Sequence, residues 1–138
     1  FNNKVIVGDY ENGKVYALDN TVYTDNGKTI RRLRRAIHLT NDLQRQFFDE
    51  FQIQFQPGVG LQTGQGDDPQ AMLRWSNDGG STWSNEHWVT IGQEGKYKNR
   101  AIWRRLGWAR DRVFEVTVSD PVKAVIVSAN LKAEEGEN

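Results

Sequence analysis

Residues 47–56 alternate with a period of two. Phe47, Phe51, Ile53 and Phe55 face one way, and Phe48, Glu50, Gln52, Gln54 and Gln56 face the other, with only Asp49 interrupting the apolar row. Successive side chains of a strand point to opposite faces, so this segment reads as a strand with one dry and one wet side. Residues 112–119 repeat the pattern, with Phe114, Val116 and Val118 opposite Glu115 and Thr117. Ala71, Leu73 and Trp75 form a further inward row, and residues 101–106 set Ile102 and Leu106 opposite Trp103 and Arg105. Residues 122–131 are apolar on both faces, as a central strand is. The 3.6-residue period of an amphipathic helix is weak throughout; a short helical turn over residues 39–46, capped by Thr40 or Asn41, is the one helical expectation.

Turn chemistry separates these runs. Glu11-Asn12-Gly13 and Asp25-Asn26-Gly27 read as hairpin turns, because Asn and Gly enter the left-handed region at little cost. Ser119-Asp120-Pro121 ends one strand before the last begins. The expected fold is therefore all-β: an antiparallel β-sandwich, jelly-roll-like, of seven or eight strands over residues 28–132. Residues 1–27 are expected to form a hairpin against its edge, and residues 133–138 a disordered polar tail. The chain begins Phe1-Asn2-Asn3 and reads as a piece of a longer protein.

Composition removes several functions. The 138 residues contain no cysteine, so disulfides, thiolate metal sites and a cysteine nucleophile are excluded. The two histidines, His38 and His87, are far apart in sequence and do not make a zinc site. No G-x-S-x-G elbow is present, and the Gly-rich stretch 57–69 lacks the spacing of a phosphate-binding loop. No catalytic residue, cofactor or metal is predicted. No apolar run approaches the roughly 20 residues that span a bilayer.

The net charge of zero conceals two basic blocks, +4 over residues 31–46 and +6 over residues 96–112. The first holds Arg31, Arg32, Arg34, Arg35 and Arg45; the second holds Lys96, Lys98, Arg100, Arg104, Arg105, Arg110 and Arg112. Arg32 and Arg34 fall on one face of a strand, and Arg31, Leu33 and Arg35 on the other. Arginine on both faces requires an edge strand or a covering of carboxylates such as Asp49 and Glu50, because an unpaired buried charge costs several kcal/mol. All five tryptophans lie between residues 75 and 108. Trp75, Trp83 and Trp103 are expected in the core, and Trp88 and Trp108 are the interface candidates. The candidate partner-facing set is Arg31, Arg32, Arg34, Arg35, Trp88, Arg100, Arg104, Arg105 and Trp108.

Residues 76–83 match S-x-D-x-G-x-T-W, the Asp-box hairpin pattern, at Ser76, Asp78, Gly80, Thr82 and Trp83. An aspartate there accepts from backbone amides a few residues on, and the tryptophan is expected to bury itself beneath the turn. The motif is structural, not catalytic.

Longer stretches carry a resemblance. Arg74-Trp75-Ser76-Asn77-Asp78-Gly79-Gly80 through Trp83-Ser84-Asn85-Glu86-His87-Trp88 is one, and Ala101-Ile102-Trp103-Arg104-Arg105-Leu106-Gly107 with Ala109-Arg110-Asp111-Arg112-Val113-Phe114-Glu115-Val116 is another. With Ser119-Asp120-Pro121-Val122-Lys123 and the opening Gly8-Asp9-Tyr10 and Tyr23-Thr24-Asp25-Asn26-Gly27, they resemble the C-terminal part of the packaged-DNA stabilisation family, the tail-hub proteins of short-tailed phages and prophages. The resemblance implies a virion tail protein, made in the bacterial cytoplasm, that forms a homo-oligomeric ring, binds other tail or portal proteins and helps to retain packaged DNA. It also implies that residues 1–27 end a propeller-like domain. DNA is the less favoured contact, since a neutral chain has little long-range pull on phosphate. A carbohydrate-binding β-sandwich module is the alternative.

Overall fold

The computed structural model describes residues 1–56, 60–92 and 99–137, and among these every regular element is a strand. Lys96, Lys98 and the start of the Gly-rich stretch lie outside the described residues. Two hairpins come first. β1 (Ile6–Gly8) pairs with β2 (Val15–Ala17), and β3 (Thr24–Asp25) with β4 (Lys28–Thr29). The second turns on Asn26 and Gly27, both at positive φ (47° and 79°), as a two-residue hairpin turn requires. Each hairpin pairs only within itself, so the first does not extend a sandwich edge. The second crosses the boundary expected at residue 28.

The sandwich begins at β5 (Arg32–Arg35) and contains β6 (Leu39–Thr40), β7 (Gln46–Phe55), β8 (Gln70–Ser76), β9 (His87–Thr90), β10 (Ala101–Arg104), β11 (Trp108–Ala109), β12 (Asp111–Val118) and β13 (Ile126–Glu135). All pairing is antiparallel. In one sheet β7 is central, with β13 along one side and β10 and β11 sharing the other. In the second sheet β12 lies between β8 and the β5–β6 side, and β9 is beyond β8. That is nine strands among the described residues, against the seven or eight expected.

Four local expectations are corrected. The helical turn at residues 39–46 is instead β6 and a bend, where Asp42 and Leu43 both take left-handed φ (46° and 56°), which a right-handed turn cannot contain. The central strand of its sheet is β12, buried on both faces, whereas β13 pairs only with β7 and is largely exposed. The tail expected from residue 133 is in part strand: Ala133, Glu134 and Glu135 continue β13 along β7 as far as Gln46. Finally, Phe48, not Phe47, is in the core. The pairing of β7 with β13 shifts between Glu50 and Phe48, so Asp49 is the extra residue of a β-bulge. The bulge turns the Asp49 carboxylate outward and reverses the phase beyond it.

The core is aromatic. Phe51 stacks between Phe114 (5.0 Å between centroids) and Trp103 (6.0 Å), and Phe48 meets Phe114 edge-on at 5.8 Å. Ile53, Phe55, Leu73, Leu106, Val116 and Val118 complete it. Each such side chain contributes about 1.5–3 kcal/mol on burial. The two sheets meet at the β9–β10 side, where Trp103 Nε1 donates to the His87 carbonyl (2.9 Å). On the opposite side, between β5 and β13, they stay apart and leave a cleft of about 650 Å³.

Candidate interface surface

The outer face of β12 carries a carboxylate, Glu115, with no solvent exposure. Arg35 on β5 and Arg74 on β8 are its direct cross-strand neighbours on either side. Arg35 Nη2 donates to Oε2 at 2.7 Å, and Arg74 Nε donates to Oε1 at 2.6 Å. Burial opposes ionisation of Glu115, but the hydrogen bonds and charges of the two arginines outweigh it and hold its pKa below the ordinary value. Both guanidiniums also lie against Trp83, at 4.8 and 4.6 Å from the ring centroid.

Trp83 ends the 76–83 turn, so that turn positions the lid of the buried carboxylate. Ser76, itself buried, accepts from the Gly80 amide (2.8 Å) and donates to Asp78 Oδ1 (2.6 Å). Asp78 Oδ1 accepts from the Thr82 amide at 2.9 Å, and its other oxygen accepts from the Thr82 hydroxyl. Bonds from Ser76 and Thr82 hold the Asp78 carboxyl well below the usual range. Trp83, expected in the core beneath the turn, is half-buried and outside the core cluster, and its Nε1 donates to the Gly80 carbonyl (3.0 Å).

Arg112 is also internal. It is 2% exposed and lies over the rings of Phe48 and Trp75. It donates to Asn77 Oδ1 (2.8 Å), the Leu106 carbonyl (2.5 Å) and the Trp108 carbonyl (3.1 Å). Desolvation pushes its pKa down to about 10, still charged at neutral pH.

The candidate set is therefore divided. Arg35 is committed to Glu115, and Arg32 to the carbonyls of Asp120 and Val122. Arg104 pairs with Glu50 at 2.8 Å, so Glu50 covers β10 and not β5, where cover from Asp49 and Glu50 was expected. Arg31, Arg34, Arg100 and Arg105 are exposed. Arg105, at φ 57°, donates its amide to the Asp49 carbonyl (2.8 Å) and closes the bulge. Trp88 on β9 is 59% exposed, and Trp108 on β11 is 50% exposed with the Arg45 guanidinium 4.6 Å from its ring centroid. The residues do not form one patch: β5 is an edge of one sheet, whereas β10 and β11 belong to the other.

Sequence reasoning missed Glu115, Arg74, Arg45 and the internal role of Arg112. The available signal was Glu115 itself, an acidic residue within a run of β-branched and aromatic residues. No group of three or more His, Asp or Glu residues suited to a metal occurs among the described residues. None of those residues forms a helix long and apolar enough to cross a membrane.

Fold and surface define the class: a β-sandwich domain, with buried ions that join strands within a sheet and exposed arginines and tryptophans on its outside. The family model described as Bacteriophage P22 Gp10, beta-sandwich, matches residues 31–134, and the chain belongs to that family. The match starts one residue before β5 and ends one residue before the end of β13, so it covers all of the sandwich but Glu135. No curated protein matches the chain.

Proposed function

We propose that this chain is the sandwich domain of a phage tail-hub protein, a non-enzymatic virion component that binds other tail or portal subunits and helps to retain packaged DNA. The match over residues 31–134 carries this reading. In it, the exposed Arg31, Arg34, Arg100, Arg105 and Trp88 are available to neighbours, while Arg32, Arg35, Arg104 and Arg112 serve the fold. The 76–83 turn acts as an Asp-box in its structural sense, holding Trp83 over the Arg35–Glu115–Arg74 row. The protein works as a homo-oligomeric ring in the tail, and residues 1–27 belong to an upstream propeller-like domain.

The test is in-frame deletion of residues 31–134 from the full-length protein, with particles assayed for DNA retention by nuclease sensitivity. The reading expects particles that package DNA and then release it, or that lack tails. Particles of normal infectivity and normal nuclease resistance would overturn it.

A further inference from the structure

The open side of the sandwich has three features that belong together. Its floor is apolar, with Phe51, Ile53, Phe55, Phe114, Val116 and Val118 lining the cleft between β5 and β13. Its volume, about 650 Å³, is within the roughly 300–1,000 Å³ typical of binding clefts. The apolar surface continues outside, where Ile37, Ile126 and Val127 are exposed.

The second feature is a free strand edge. Among the described residues, β5 pairs only with β12. The Ala36 amide donates to the Phe114 carbonyl (2.8 Å), and antiparallel pairs alternate between bonded and unbonded, so Arg34 and Arg32 also turn their backbone groups toward β12. Leu33 and Arg35 consequently present N–H and C=O outward. Unpaired edge groups of this kind are a template for another strand.

The third feature is charge. Among the described residues, the only charged ones lining the cleft are Arg32, Arg34 and Arg35, with no carboxylate among them. Arg32 and Arg35 are committed within the fold, whereas Arg34, on the core-facing side of β5, makes no ion pair among the described residues. An apolar groove with one uncommitted cation at its mouth is complementary to an apolar segment that carries a carboxylate.

We propose that this side is a docking groove for an extended segment of a partner polypeptide, which adds as a strand to β5, sets a carboxylate against Arg34 and places apolar side chains in the cleft. A segment of about four to six residues matches the length of β5. Main-chain bonds would supply affinity, and the cleft and Arg34 would supply specificity. That the partner is a tail subunit rests on the proposed function; the groove does not.

Leu33→Pro and Arg34→Glu test this. Proline at position 33 removes an outward N–H without touching the β12 ladder, which an edge strand tolerates. The probe is the eight-residue peptide Val-Thr-Val-Thr-Glu-Thr-Val-Thr, whose glutamate shares one strand face with its valines, titrated into the 138-residue chain and followed by amide NMR shifts, with the peptide carrying lysine in place of glutamate as control. The proposal expects shifts confined to residues 33–37 and 124–129, at least tenfold weaker binding by either variant at unchanged melting temperature, and no binding of the lysine peptide. Shifts elsewhere, equal binding of both peptides, or equal binding by wild type and variants would overturn it. Self-association through β5 seen in sedimentation, without peptide binding, would also overturn it, in favour of a second copy. If the groove binds but full-length Arg34→Glu protein assembles normal particles, the groove stands and the tail partner does not.

Discussion

Removing the two arginines around Glu115 should cost more than the sum of removing each. Glu115 has no exposure, and its two oxygens are divided between Arg35 and Arg74. With one arginine gone, the other still bonds the carboxylate. Arg35 is more than half exposed, so solvent screening limits its single loss to about 1 kcal/mol. Arg74 is less exposed, and its loss should cost about 1–2 kcal/mol. Arg35→Met with Arg74→Met leaves a buried charge unpaired, which costs about 3–5 kcal/mol. Adding Glu115→Leu should then recover about 2 kcal/mol, since an apolar trio of similar volume often replaces a buried ion cluster without loss. Urea unfolding followed by circular dichroism at constant m-value measures all four variants. The pH dependence supplies a sign. In wild type the depressed Glu115 pKa contributes stability that is present above the unfolded pKa of about 4.3 and is lost as pH falls through the lower folded value. In the double variant only burial acts, the folded pKa rises above the unfolded one, and the penalty should be smaller at pH 4 than at pH 7. A double-variant cost no greater than about 1 kcal/mol, or a triple variant no more stable than the double, would refute the reasoning.

Three further outcomes are expected. Phe48→Ala should cost about 3–5 kcal/mol and Phe47→Ala less than about 1.5 kcal/mol; similar melting temperatures for the two would contradict a bulge at Asp49. Arg112→Lys should destabilise nearly as much as Arg112→Met, because an ammonium cannot reproduce the planar fork that serves Asn77 and two carbonyls; full rescue by lysine in thermal unfolding would contradict this. Ser76→Ala leaves the Gly80 amide without its acceptor and should cost about 1–3 kcal/mol, lowering the melting temperature by roughly 4–8 °C per kcal/mol; an unchanged melting temperature would show that the turn does not depend on it.

The sandwich was legible because alternation is a local signal. β7, β8 and β12 each show it within a few residues, and Asn26-Gly27 marked its hairpin directly. What was not legible depends on pairing. Glu115 looked like the wet side of a half-buried strand, because nothing local shows that β5 and β8 flank it with arginines in register. The apolar residues 122–131 suggested a centre, yet β13 has strand neighbours on one side only, and part of its apolar surface faces the open cleft. Asp49 was visible as a break in the row, but whether a break buries a charge or makes a bulge is decided by the partner strand. The candidate surface followed the same division. Trp88 and Trp108 are exposed, whereas sequence spacing could not separate exposed arginines from those spent on backbone carbonyls.

The central claim, that this sandwich is a structural part of a phage tail, is tested most directly by locating it in particles. An epitope tag at the C-terminus of the full-length protein, labelled with gold on gradient-purified virions and paired with mass spectrometry of the same band, makes the measurement. The account predicts several chain copies per particle, with label confined to the tail end of the head. Chain found only in the particle-free supernatant of the lysate, with unlabelled and fully infectious virions, would contradict it.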